Sequence, residues 1–181
     1  DSDTSTSDMV AVLANAAAGG PRIRNANGAA YRRFVDALTG VCQSLAYQVI
    51  ADGEGVAHVI RVRVEGAASD RAALAVARSI ADSPLVKTAV HGADPNWGRI
   101  AMAAGKSGAL IDPSSMTIAI ADACVYRRGG PARFDATALS EAMGRPEVEI
   151  RVRLREGKGR CEFLGCDLSR QYIAINADYT T

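Results

Sequence analysis

Asp52-Gly53-Glu54-Gly55-Val56-Ala57-His58-Val59-Ile60-Arg61-Val62-Arg63-Val64-Glu65 is the stretch in which the apolar period of the chain changes. Upstream of it, Tyr31, Phe34, Val35, Leu38, Val41, Cys42, Leu45 and Val49 recur at three- and four-residue steps, while Arg32, Arg33, Asp36 and Gln43 fall elsewhere. That spacing predicts an amphipathic helix over 30–51. Gly40 lies inside it at a cost of about 1 kcal/mol relative to Ala. Downstream the period is two: Ile60, Val62 and Val64 alternate with Arg61, Arg63 and Glu65, the pattern of a strand with one wet face. The glycine-flanked turn separates them, so a long helix runs straight into a half-buried strand.

Working outward, Ser69 is placed to cap a second helix over 70–81, which must finish before Pro84. A Gly/Pro-containing loop over 90–98 leads to a short helix through Ala104. Ile118 and Ile120, then Val125 and Tyr126, read as two short strands, and Arg127-Arg128-Gly129-Gly130 as a turn. Asp135 to Met143 reads as a helix. Val148, Ile150, Val152 and Leu154 alternate with charged residues, and Glu156-Gly157-Lys158-Gly159 reads as a hairpin turn into a strand over 161–168. Near the start, Met9, Val12, Leu13 and Ala16 share one helical face after a Ser/Asp-rich opening, with a buried strand as the alternative; Gly19-Gly20-Pro21 ends that element. Long helices beside antiparallel hairpins predict an α+β layered domain rather than a βαβ repeat, with residues 1–181 as a single domain.

Lys and Arg number 21 against 20 Asp and Glu, giving +1, which removes the bulk electrostatic case for a nucleic-acid or membrane-surface binder. Hydrophobic residues make up 48% and aromatics only 5%, so Ala, Val, Ile and Leu must fill the core. No uninterrupted apolar run approaches the roughly 20 residues that cross a bilayer. Cys42, Cys124, Cys161 and Cys166 form no C-x-x-C pair, and His58 and His91 stand alone, so neither a disulfide scaffold nor a zinc site is expected. Reduced, mostly buried thiols in a cytoplasmic protein are the expectation. Asp1 is no initiator Met and no signal peptide follows, so the chain reads as a processed or cut piece of something longer.

Gly98 to Ser107 ends in Gly105-Lys106-Ser107 but puts six residues between its outer glycines, not the four of a phosphate-cradling loop. Gly53-Glu54-Gly55 lacks the third glycine of a dinucleotide fingerprint and follows a helix. Glu54 carries more interest. Glycines on both sides leave its carboxylate sterically open, either as a solvated turn residue or as a group aimed into a cleft to hold a cation. At about 4 Å and an effective dielectric near 20, such a contact is worth roughly 4 kcal/mol before desolvation. Asp94-Pro95-Asn96-Trp97-Gly98-Arg99 holds the only Trp and reads as a fixed structural loop. The chain end, Ile173-Ala174-Ile175-Asn176-Ala177-Asp178-Tyr179-Thr180-Thr181, alternates apolar and hydrogen-bonding residues. An edge strand accounts for Ile173 and Ile175 but not for Asn176 or Thr181.

Ser83-Pro84-Leu85-Val86-Lys87-Thr88-Ala89, running on into Gly92-Ala93-Asp94-Pro95-Asn96-Trp97-Gly98-Arg99, resembles the signature of the ornithine acetyltransferase family. Asp3-Thr4-Ser5-Thr6-Ser7-Asp8, Asp52-Gly53-Glu54-Gly55 and Asn176-Ala177-Asp178-Tyr179-Thr180-Thr181 match it in the same order. The resemblance covers essentially the whole chain and points to most of the β subunit. It departs at His58, where the family usually has Lys.

The resemblance implies acetyl transfer from N2-acetylornithine to glutamate, yielding ornithine and N-acetylglutamate. It also implies a precursor that cuts itself before a threonine, which becomes the N-terminal nucleophile and carries the acetyl group as an ester. That threonine is expected upstream of Asp1; Thr4 and Thr6 belong to another part of the pattern. The family's oxyanion-stabilising groups lie on its α subunit. Its substrate-binding residues fall on Glu54, which is expected to meet an ammonium group of ornithine, and on Asn176 and Thr181, expected to bond the amino-acid head. The implied fold is a layered α/β sandwich completed by the partner chain, in an α2β2 heterotetramer. No metal or organic cofactor is implied. Two other classes stay open: an N-terminal-nucleophile amidase or aminopeptidase, with water as acceptor, and a non-catalytic amino-acid-binding subunit.

Overall fold

A computed structural model describes residues 3 and 7–179. The chain divides into two compact units, Ser2–Gln48 and Val49–Thr181. Its elements, in order, are α1 (Ala29–Ala51), β1 (Val59–Ala67), α2 (Asp70–Ala81), α3 (Pro84–His91), α4 (Trp97–Gly105), β2 (Thr117–Ile120), β3 (Ala123–Arg127), β4 (Gly130–Pro131), α5 (Ala136–Met143), β5 (Glu147–Arg153), β6 (Gly159–Cys166) and α6 (Arg170–Asp178).

The strands form one sheet in the order β4-β3-β2-β5-β1-β6, mixed in direction. β1 lies between β5, which it meets in parallel, and β6, which it meets antiparallel. The period-two pattern sorts the two faces. Ile60, Val62 and Val64 of β1, Ile118 and Ile120 of β2, and Val148, Ile150 and Val152 of β5 are all buried. They form one cluster with Ala73, Val76, Ala77 and Ile80 of α2 and with Ala103 and Ala104 of α4. The small alanines let the helices sit close to the sheet, which is how a core with few aromatics reaches native packing density. Ser69 caps α2 by accepting from Ala72 N at 3.2 Å. Trp97, at the start of α4, stacks on Tyr126 of β3 at 5.2 Å between ring centroids and locks the loop before it.

The opposite face of the sheet is a ladder of charges. Arg61 donates to Glu147 at 2.6 Å and 3.1 Å and also pairs with Glu162. Arg63 pairs with Glu149 and with Glu162, both at 2.8 Å. Glu147 hydrogen bonds, above all, hold the Arg61 guanidinium more firmly protonated than usual, against the opposing effect of burial. Burial alone would raise the Glu162 carboxyl; the Arg63 and Arg61 guanidiniums outweigh it and hold the group below its ordinary value.

Four expectations need correction. Glu156-Gly157-Lys158-Gly159 is not a hairpin turn, because β5 and β6 are not neighbours. The connection crosses the end of β1, with Leu154 N donating to Glu65 O at 2.7 Å and Gly157 N to Gly66 O at 2.9 Å. Glycine-rich turn chemistry serves a hairpin and a short crossover equally. A bulge at Gly66 makes room: its φ is +79°, and a Cβ there would lie 2.1 Å from Leu154 O. The 9–18 segment forms no helix, and Met9, Val12 and Leu13 are exposed. Residues 173–178 belong to helix α6, not to an edge strand. None of the four thiols is in a disulfide, and they are not mostly buried: Cys42 is exposed and Cys124, Cys161 and Cys166 are half-buried. Burial still pushes the Cys161 thiol upward.

α1 follows its predicted span, yet none of its residues is buried. Phe34, Val41, Leu45 and Val49 are 52–74% exposed. It is the one helix among the described residues long and apolar enough to cross a membrane, with a mean hydropathy of 1.2 and Arg32, Arg33 and Asp36 along it.

Candidate functional site

The turn after α1 and the helix at the chain end come together. Val56 N donates to Gly53 O at 3.1 Å, closing the turn that carries Glu54. Gly55 has φ +67°, and a Cβ there would lie 2.5 Å from Tyr172 N and 3.0 Å from Ser169 Oγ. Only a glycine lets this backbone lie directly on the first turn of α6. That turn is capped by Ser169, whose Oγ accepts from Tyr172 N at 2.9 Å. Two turns along α6, Asn176 Nδ2 donates to Glu54 Oε2 at 3.3 Å and to its own helix at Tyr172 O, 3.0 Å. Two site residues read from the sequence, 122 positions apart, are therefore hydrogen-bonded. Both are exposed. Thr181, the third, lies outside the described residues, as do Thr4 and Thr6.

A carboxylate has about four acceptor positions. Among the described residues Glu54 uses one, on the Asn176 amide. What remains is an anionic oxygen pair open to solvent on a turn of fixed position, suited to a cationic ligand.

The sequence reading missed α3 and Asp167. Pro84 does stand after the end of α2, but it also occupies the first turn of α3, where its lack of an N–H costs nothing. α3 buries Lys87 and aims His91 at Asp167, with 2.7 Å from Nδ1 to Oδ2. Asp167, only 3% exposed, also accepts from Ala57 N and His58 N at 3.0 Å each. Its signal in the sequence was a lone acidic residue at the end of an apolar strand. His58, the departure from the expected Lys, turns its ring to Arg145, donating from Nδ1 to the carbonyl at 2.7 Å. The Asp94 loop is structural in its contacts: Asn96 accepts from Arg99 N at 3.2 Å and donates to Asp94 Oδ2 at 3.0 Å.

Residues 1–181 match the ArgJ family. The chain belongs to it. Similar curated proteins include the arginine biosynthesis bifunctional protein ArgJ of Deinococcus radiodurans, 50% identical over 181 residues, which are 100% of this chain and 44% of that protein. The protein of the same name from Dehalococcoides mccartyi is 46% identical over 182 residues, again 100% of this chain and 44% of the relative. The chain thus spans 44% of the length of these ArgJ relatives. Among solved structures, the arginine biosynthesis bifunctional protein ArgJ of Bacillus halodurans superposes with a TM-score of 0.94 at 39% identity, covering 99% of this chain and 84% of that one. The mixed α+β architecture is therefore that of an ArgJ structure.

Proposed function

We propose that the complete ArgJ-family protein to which this chain belongs transfers acetyl from N2-acetylornithine to glutamate, and that this chain supplies the grip on the donor. The observation that carries the reading is the Asn176–Glu54 hydrogen bond, which among the described residues takes up only one acceptor position of an anchored carboxylate at an exposed turn. N2-acetylornithine has a side-chain ammonium, an α-carboxylate and an amide to be cleaved. Glu54 takes the ammonium by a charge-assisted hydrogen bond, and Asn176 and Thr181 take the amino-acid head.

The covalent step belongs to a threonine upstream of Asp1. Its hydroxyl attacks the acetyl carbonyl carbon, with the freed α-amine taking the proton. The amide C–N bond breaks, the proton passes to the leaving amine, and ornithine departs. The amine of glutamate then attacks the acetyl ester, giving N-acetylglutamate and restoring the threonine. Holding the donor at its far end is a contact made alike before and during the chemical step, so it lowers KM and leaves kcat nearly unchanged. A partner α subunit from the same precursor completes the site in an α2β2 assembly. The exposed apolar residues of α1 support such a partner chain. The assembly works in the cytoplasm.

The test is ornithine release from N2-acetylornithine by the complete protein, with and without glutamate. Release that depends on glutamate and matches N-acetylglutamate formed is the expected result. Equal release without glutamate would identify an amidase and overturn the transfer reading.

A further inference from the structure

Asp167 spends a buried carboxylate on a turn that two glycines would otherwise leave loose. Its side chain is fully enclosed, and it accepts three hydrogen bonds: from Ala57 N and His58 N on Oδ1 and from His91 Nδ1 on Oδ2. Such a group is costly to bury and persists only where its acceptors are filled. The two backbone donors lie three and four residues beyond Glu54, on the strand side of the turn. The other side is fixed by the close approach of Gly55 to Tyr172 N. Asp167 also leads directly into Leu168 and Ser169, and Ser169 caps α6, the helix that carries Asn176. One short segment, 167–169, therefore sets both members of the Glu54–Asn176 pair: the turn through the Asp167 side chain, the helix through its cap. α3 holds this segment from outside. His91 bonds the carboxylate, Leu168 N donates to Lys87 O at 3.4 Å, and the buried Lys87 ammonium lies 3.8 Å from Cys166 Sγ.

We propose that Asp167, tethered by His91 of α3, is a positioning residue that sets where the Glu54 carboxylate meets the ammonium of the donor, and so governs selectivity for ammonium-bearing donors. The proposal rests on the reading of Glu54 given above. Asp167 and His91 do not touch the donor. They act through Ala57 and His58 on the turn, so loosening them costs the ammonium contact and spares the chemistry at the acetyl group.

The experiment compares N2-acetylornithine with N2-acetylnorvaline, which lacks the side-chain amine, as donors for the complete protein. His91→Phe removes the tether, and His91→Gln restores a donor to Asp167. With His91→Phe, KM for N2-acetylornithine rises about tenfold, the scale of one lost hydrogen bond to a charged group. KM for N2-acetylnorvaline and kcat for both donors stay within about twofold, and His91→Gln recovers most of the selectivity. Asp167→Asn, which keeps an acceptor for the backbone amides but loses the charge, gives the same readout and decides the matter if His91→Phe does not fold. Unchanged selectivity in these variants, or an equal slowing with both donors, overturns the proposal. Glu54→Gln separates the two layers. If it abolishes the selectivity that His91→Phe and Asp167→Asn preserve, the positioning role fails and the ammonium reading stands. If Glu54→Gln also preserves it, the ammonium reading fails and the proposal goes with it.

Discussion

Two groups of carboxylates in the same unit have opposite fates. On the open face of the sheet, Glu147, Glu149 and Glu162 are matched by Arg61, Arg63 and Arg151 at hydrogen-bonding distance. At the turn before β1, Glu54 has one neutral amide among the described residues. The ladder has satisfied itself and has little to offer a ligand. The turn has been fixed in place by glycine packing, a helix cap and a buried aspartate without its own charge being answered by any described residue. Charge count alone does not mark a site; a positioned group with unfilled bonding capacity does.

The most severe way to break the contrast is Gly55→Ala. The left-handed backbone costs on the order of 1–3 kcal/mol, and the added Cβ meets Tyr172 N, so the turn must leave α6. The expected outcome is a clear drop in melting temperature together with loss of donor binding, read by calorimetry. Arg61→Ala attacks the ladder instead. Glu147 and Glu162 lose their shared partner, and unfolding by urea should show a loss of about 1–2 kcal/mol, reduced by solvent at this half-open face. KM for the donor should not change, which is the sharper half of that prediction.

Asn176→Ala removes a neutral amide from the site and should raise donor KM by about two- to tenfold with stability nearly intact, because Ala is the better helix former. The smallest effect is on acid stability. The folded-state pKa of Glu162 lies below its unfolded value, so its contribution is complete above the unfolded carboxylate value of about 4.3 and is lost as pH falls through the folded one. Asp112, held low by Ser114 through its hydroxyl and backbone N–H, adds the same sign. Melting temperatures between about pH 6 and pH 3 should therefore fall toward acid, and Arg61→Ala should flatten that slope.

What the sequence made legible follows from how local each signal is. The shift from a period near 3.6 to a period of two placed α1 and β1, and Ser69 marked the start of α2 because a cap acts within three residues; the helix read over 135–143 is α5, with Asp135 as its cap rather than its first residue. β1 lying between β5 and β6 was not legible, since strand order depends on contacts among segments far apart. Alternation misled at 173–176, where Asn176 faces Glu54 from a helix. Glu54 and Asn176 came from resemblance to a family. Asp167 could come only from the fold, because nothing around it in the chain shows that its carboxylate reaches back across 110 residues to Ala57.

Direct binding of ornithine and norvaline to the complete protein and to its Glu54→Gln variant, by titration calorimetry, bears most closely on the grip proposed for this turn. Removing the charge while keeping the side-chain shape should weaken ornithine at least about tenfold and leave norvaline unchanged. Equal affinities for ornithine in the two proteins, or an equal loss for both ligands, would contradict it.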